Sequence, residues 1–189
     1  MCKLNLAVIL YLIILASTPL ISYASDYTLM DKLDVVNDVT VESYDFGSYN
    51  IINGWTKIND FNASDAYLYC YKGDHNIDKQ NNILVKKGIN RYSLDEIKTF
   101  AQSIEFSLRI QSEQTNKPPK AVTGSGGFTK NYIPLITFNI VWDDGTYQNQ
   151  YYIVRDYGYV MVSEMVNYPE KGTIADSVAQ GILDSFKFN

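Results

Sequence analysis

The sequence predicts an antiparallel α+β domain whose sheet is covered by helices, and three observations predict it. Strand-like segments come first, one strongly capped helix follows, and then a strand meander and a terminal helix complete the chain. "AYLYCYKG" alternates cleanly, with Ala66, Leu68 and Cys70 on one side and Tyr67, Tyr69 and Tyr71 on the other. A solvated face would carry charge where those tyrosines stand, so both faces of the sheet are expected to be covered.

The first 24 residues read apart from that domain. Lys3 gives a small positive start, Leu6 to Ala16 form an apolar run, Pro19 breaks it, and Ser22-Tyr23-Ala24 offers a small-x-small cleavage pattern. The run is shorter than the ~20 residues a membrane span needs, which favours a cleaved secretory signal over a retained anchor. Residues 1–24 are therefore expected to be a signal peptide, 25–40 an N-terminal leader, and 41–189 a single domain. No second apolar stretch of spanning length follows, so no membrane insertion of the mature chain is expected. The destination is the periplasm or the exterior. Within the leader, Leu29, Leu33 and Val36 have the spacing of a short amphipathic helix or belong to a mobile lead-in.

Cleavage after Ala24 leaves 165 of the 189 residues, enough for one domain with a real core. It also moves the net charge from −5 to −6, since Lys3 is lost. No basic block interrupts that balance, which argues against nucleic acid as a partner. Cys2 leaves with the signal, so Cys70 has no partner within the mature chain and is expected to be an inert buried thiol.

Each element of the domain has a local reason. "VTVESYDFGSYNII" is rich in β-branched and aromatic residues, with Gly47 as a bulge or turn. "NGWTKI", "AYLYCYKG" and "ILVKKGI" continue the strands, and "GDHNIDKQNN" is a polar loop. Ser93 and Glu96 form a capping box, and Tyr92 with Ile97 closes a hydrophobic staple over it. Ile97, Phe100, Ala101, Ile104 and Leu108 then recur at helical spacing until Pro118-Pro119. "LITFNIVW", "YQNQYYIVR" and "YVMVSEMV" form a meander turned by Asp144-Gly145 and by Asp156-Tyr157-Gly158. Thr173 with Asp176 caps the last helix, lined by Ile174, Val178, Ile182 and Phe186.

With Gly54-Trp55 after the first strands, the helix capped at Ser93, the three-strand meander and the closing Ser185-Phe186 pair, the chain resembles the PsbP-like and DcrB-like α/β/α sandwich family over about residues 40–189. That resemblance implies the sandwich fold and non-catalytic binding or assembly roles. It carries over no catalytic residue.

The residues that suggest chemistry are few. "AVTGSGGFTKNY" packs Gly124, Gly126 and Gly127 beside Lys130. A phosphate loop needs a helix after it and commonly a Gly-Lys-Ser/Thr order, whereas this run leads into a strand. It reads as a glycine-bent passage from the proline break into the meander, shaping a binding edge. Asp74, Asn76 and Asp78 alternate like calcium-loop ligands, but Lys79 and Val85 stand where the turn glycine and bidentate glutamate belong. The expectation is therefore no cofactor, with Ca2+ at Asp74, Asn76 and Asp78 as the alternative. His75 is the lone histidine and is expected to be solvated. Asp143-Asp144 is the obvious carboxylate pair for a small hydrolase, yet it sits at a hairpin tip where acids form turns. Asn62-Ala63-Ser64 matches a glycosylation sequon, meaningful only on a eukaryotic export route.

Tyrosine is the suggestive surplus, at 16 of 189 residues. Its rigid apolar ring and polar tip suit recognition of another protein. Tyr151, Tyr157 and Tyr159, in and beside the last turn of the meander, are the expected partner contacts. No catalytic residue is assigned. The sequence thus reads as an exported non-enzymatic binding or assembly protein acting through protein contacts, such as an envelope immunity or inhibitor protein. A carboxylate-dependent hydrolase and a calcium-dependent binding module are the alternatives.

Overall fold

Alternation along Ala66–Tyr71 divides the molecule into two cores. In the computed structural model, which describes residues 39–59, 61, 63–71, 81–115, 118–167 and 172–189, Ala66 and Leu68 enter one core and Tyr67 and Tyr69 the other. The expected order of elements is present: β1 (Val39–Tyr44), β2 (Gly47–Ile52), β3 (Trp55–Lys57), β4 (Ala66–Tyr71), β5 (Asn82–Ile89), α1 (Ile97–Glu113), β6 (Ala121–Phe128), β7 (Pro134–Val141), β8 (Tyr147–Arg155), β9 (Gly158–Val166), α2 (Gly172–Ser185) and β10 (Lys187–Phe188). Seven strands form one sheet in the order β3-β4-β5-β9-β8-β7-β6, every neighbouring pair antiparallel.

Helix α1 covers one face of this sheet and α2 the other, which gives the α+β, PsbP-like α/β/α sandwich. Three features depart from the sequence reading. The glycine run is itself a full eight-residue strand, β6, rather than a bent passage into the meander. A separate three-stranded sheet, β1-β2-β10, shares the α2 side. Its strand β10 is only two residues long, too short to show a period.

The start of α1 is built as the capping residues imply. The Glu96 carboxylate accepts from the Ser93 N–H and hydroxyl, each at 3.1 Å, around a 3-10 turn at Leu94–Glu96. A second, long-range bond adds to it: Leu94 N–H donates to Asp156 Oδ1 at 2.8 Å, tying the β8–β9 turn to the helix. For α2, the helix begins at Gly172, and the side chain of Thr173 lies outside the described part.

On the α2 side the Ser185-Phe186 pair acts as a joint. Ser185 Oγ accepts the Asn50 N–H at 2.9 Å and donates to the Gly181 carbonyl, while Phe186 is fully buried. Phe186 and the Lys187 carbonyl lie so close to Gly47 that any Cβ there would collide with them. Trp55 is buried in the same core.

The two sheets are stitched by phenols. Tyr44 OH donates to Glu42 and lies 3.0 Å from Tyr69 OH, which in turn lies 2.8 Å from Tyr49 OH. Lys57 sits over the Tyr44 and Tyr67 rings. Burial pushes the Tyr44, Tyr49 and Tyr69 phenols far above the ordinary tyrosine range. Tyr69→Phe deletes the middle of this chain and strands the buried Tyr49 hydroxyl. The expected cost is about 1–2 kcal/mol, read as a lower midpoint in urea unfolding.

Candidate functional site

The buried ridge of helix α1 is Phe100, Ile104 and Leu108, spaced four residues apart, with Ile97 and Ala101 partly buried beside it. A trough lies on each flank. One, of about 560 Å3, runs past Arg91, Tyr92, Ser103 and Ser107 to Tyr159. There Arg91 donates to the Tyr92 hydroxyl, and that bond holds the Tyr92 phenol below its usual range.

The other trough, of about 620 Å3, lies between α1 and strands β6 and β7. Leu94, Ile97 and Ala101 form its helical wall, with Lys98, Gln102 and Glu105 along it. Ile136 and Phe138 contribute the floor. Its outer wall is the glycine strand. Val122, Gly124, Gly126 and Phe128 face α1, but between Val122 and Phe128 this face carries no side chain.

The glycines are not equivalent. A Cβ at Gly124 would press on the Phe138 ring at 3.0 Å, so glycine there permits close packing. A Cβ at Gly126 would meet only the Leu135 carbonyl at 3.9 Å, and at Gly127 nothing within 4 Å. Of these two, Gly126 lies on the α1 face, and with Gly124 its bareness leaves the trough open; Gly127 points to the opposite face.

The far end of the strand is fastened. Asn131, in the β6–β7 turn, donates to the Asp184 and Phe186 carbonyls at the end of α2, and Lys130 pairs with Asp184. Thr129 is buried in the same turn, its hydroxyl accepting the Ile133 N–H. This anchored turn leaves Phe128, on the trough's rim, 69% exposed, and Tyr132, in the turn itself, 86% exposed. They are the sort of apolar surface that marks an interaction site when grouped with a groove.

The three tyrosines expected as contacts stand in different surroundings. Tyr157 is exposed in the β8–β9 turn, in the left-handed backbone region at φ 58°. Its backbone is held there by bonds to Tyr92 and Asn90. Tyr159 is partly buried against Phe100 and Tyr152 on the α1 side, its ring laid over Gly88. Tyr151 packs against the α2-side core. The tyrosine surplus thus goes largely into packing, including Tyr49, Tyr69 and Tyr152. The sequence could not show that Gly88 pairs with Tyr159 across β5 and β9, which lays that partly buried ring over the glycine.

Carboxylates converge at a place the sequence reading missed. Glu164 is completely buried on β9, where its Oε2 accepts the Asn149 amide at 3.0 Å. Its Oε1 faces no donor, and Asp176 of α2 lies within hydrogen-bond reach. Tyr147 OH donates to the same Asp176 carboxylate, and Asn139 donates to Asn149. Burial first, and Asp176 second, push the Glu164 carboxyl well above the usual glutamate range. Its signal in the sequence was a glutamate at an inward position of the run Val162-x-Glu164-x-Val166. The pair lies between sheet and helix, so it fastens α2 rather than facing a substrate. Asp143 and Asp144 are exposed at the hairpin tip, with Asp144 accepting from Thr146 as a turn former.

Asp74, Asn76, Asp78 and His75 lie outside the described residues, as does Asn62 of the sequon. Among the described residues no group of three or more His, Cys, Asp or Glu side chains is placed to hold a metal. None of the described helices is long and apolar enough to cross a membrane. Cys70 is buried.

With this geometry in view, the architecture defines a PsbP-like fold. Among solved structures it is similar to the solution structure of cyanobacterial PsbP (CyanoP) from Synechocystis sp. PCC 6803, with a TM-score of 0.56 over 80% of this chain and 92% of that one. The two are 10% identical, so the likeness is one of fold alone. No family model matches the sequence, and no curated protein matches it.

Two outcomes follow for variants. Glu164→Gln keeps the shape and the bond to Asn149 but removes the titration. A carboxyl whose pKa is raised by folding stabilises at low pH, and that stability is lost as pH rises through the folded value. The native protein should therefore lose stability with rising pH above the ordinary glutamate range more steeply than Glu164→Gln, by up to about 1.4 kcal/mol per pH unit. Urea midpoints collected across that range report the difference. Separately, Tyr159→Ala should cost about 2–4 kcal/mol through the cavity it leaves, whereas Tyr157→Ala should stay within about 0.5 kcal/mol, both read by thermal unfolding.

Proposed function

We propose that the protein is an exported, non-enzymatic binding protein that engages another protein through the trough between α1 and β6. The observation that carries this reading is the combination of a bare glycine strand, an apolar trough and the exposed Phe128 at its rim. Apolar concavities with a few polar groups along the wall are where proteins take up partners. Export rests on the leader sequence, with its apolar run and Ala24 cleavage pattern. The binding habit agrees with the PsbP-like fold, although a fold by itself fixes no activity.

An acidic, small exported binder suits an immunity or inhibitor protein that blocks a toxin or enzyme. The hydrolase alternative draws less support, because the converging carboxylates Glu164 and Asp176 lie under α2 with Glu164 fully buried. The calcium alternative rests on Asp74, Asn76 and Asp78, and calorimetry with calcium at millimolar levels tests it separately.

The binding reading is tested by filling the trough. A Cβ at Gly126 meets nothing closer than 3.9 Å, so Gly126→Leu should direct its side chain into the trough and alter stability by no more than about 0.5 kcal/mol. The immobilised mature protein should recover a stoichiometric partner from the envelope fraction of its own source. Gly126→Leu should lower that yield about tenfold, equivalent to about 1.4 kcal/mol, while Tyr157→Ala should leave it unchanged. Equal yields from native and Gly126→Leu protein would move the contact away from the trough.

A further inference from the structure

We infer that the partner enters as an extended segment that adds an eighth strand to the sheet beside β6, with alternate apolar side chains lowered into the trough. This rests on the binding reading above and supplies the chemistry of its ligand.

The two outer strands of the seven-stranded sheet are treated differently. At one edge stands β3, three residues long and ending in Lys57, the short and charged kind of edge that resists further pairing. At the other, among the described residues, stands β6, eight residues long, reading Ala-Val-Thr-Gly-Ser-Gly-Gly-Phe without a charge or a proline, and its stretch from Gly124 to Phe128 is the part that bears on an added strand. Strand edges of that length and character are templates for another chain.

The hydrogen-bond phase of β6 says which groups are offered. Thr129 N–H donates to the Ile133 carbonyl at 2.9 Å, continuing by one residue the register that pairs Phe128 with Pro134. Bonded partners recur at every second residue of an antiparallel ladder. The odd-numbered residues of β6 therefore bond to β7, and Gly124, Gly126 and Phe128 direct their N–H and C=O groups away from it.

Those residues also have their Cα–Cβ directions toward α1. Side chains directly opposite one another in paired strands share a face. A strand laid against Gly124 and Gly126 thus points its opposing side chains over them, onto the α1 side, where the glycines leave the trough unfilled. Main-chain bonds hold the segment, and its alternate side chains meet Leu94, Ile97 and Ala101. A helix presented to the same trough would leave the β6 edge groups unused.

The test uses the mature chain labelled for NMR and a synthetic probe, a ten-residue peptide of alternating valine and threonine with lysine at each end. A second probe is N-methylated at every other residue on the edge that would face β6. Without peptide, the amides of Gly124, Gly126 and Phe128 should exchange rapidly with solvent at all protein concentrations. The unmodified peptide should slow their exchange at least about tenfold, and N-methylation should weaken its binding by about tenfold or more. Absence of protection at these amides with saturating peptide overturns the inference. So does protection already present in the free chain: if it rises with concentration, a second copy is the occupant, and if it vanishes on deleting residues 25–38, the leader is. If both peptides bind equally and Gly126→Leu blocks both, strand addition falls while the trough stands. If Gly126→Leu spares capture of the native partner, the trough reading itself falls.

Discussion

A helix that meets a sheet along one line of side chains leaves space on both sides of that line. In this protein the line is Phe100, Ile104 and Leu108, and everything distinctive about the α1 face depends on it. Had β6 carried ordinary side chains toward α1, they would have closed the space, as Val122 does at its start. Gly124 and Gly126 leave it open instead. The absence of two side chains thus turns a routine helix-on-sheet contact into an apolar trough at a sheet edge. Glycine weakens a strand through lost packing and greater backbone freedom. Here β6 is held from both ends, by its full-length ladder with β7 and by Asn131 and Lys130 on the end of α2.

The opposite face shows what a closed arrangement looks like. Beneath α2, the Ser185 hydroxyl, the buried Phe186 and the close approach at Gly47 join helix to small sheet without slack. Chains of polar groups cross the same region: the Tyr44, Tyr69 and Tyr49 phenols between the sheets, and Glu164 with Asp176 between sheet and helix. Buried polar groups of this kind stabilise only when each finds a partner. The Asn149 amide supplies one partner to Glu164, and burial beside Asp176 raises its carboxyl above the usual glutamate range. One face is therefore locked by specific bonds while the other is left accessible. That asymmetry is why recognition is proposed at α1 and β6.

Much of the fold was legible because its signals are local. The Ser93–Glu96 capping box, the alternation of Ala66 to Tyr71 and the turn at Asp144-Gly145 each report on their own neighbourhood, and each formed as read. What escaped depends on pairing. Ala121–Phe128 has poor strand propensity, and only its ladder with β7 makes it a strand. Tyr159 reads as a turn residue until Gly88 is found opposite it. Glu164 and Asp176 stand on separate elements, and nothing in the spacing of their residues announces that they meet. The trough escaped for the same reason. It is defined by missing side chains between elements far apart in the chain, so the glycine run was readable as a shaping feature but not as a wall.

The choice between the trough and the exposed Tyr157 turn as the place of contact can be made without knowing the partner. Hydroxyl-radical footprinting of the chain in its native extract, set against the purified chain, reports oxidation of Phe128, Tyr132 and Tyr157 separately. Phe128 and Tyr132 are predicted to be shielded in the extract while Tyr157 stays reactive. Shielding of Tyr157 with Phe128 and Tyr132 fully reactive would contradict this view of the α1–β6 edge.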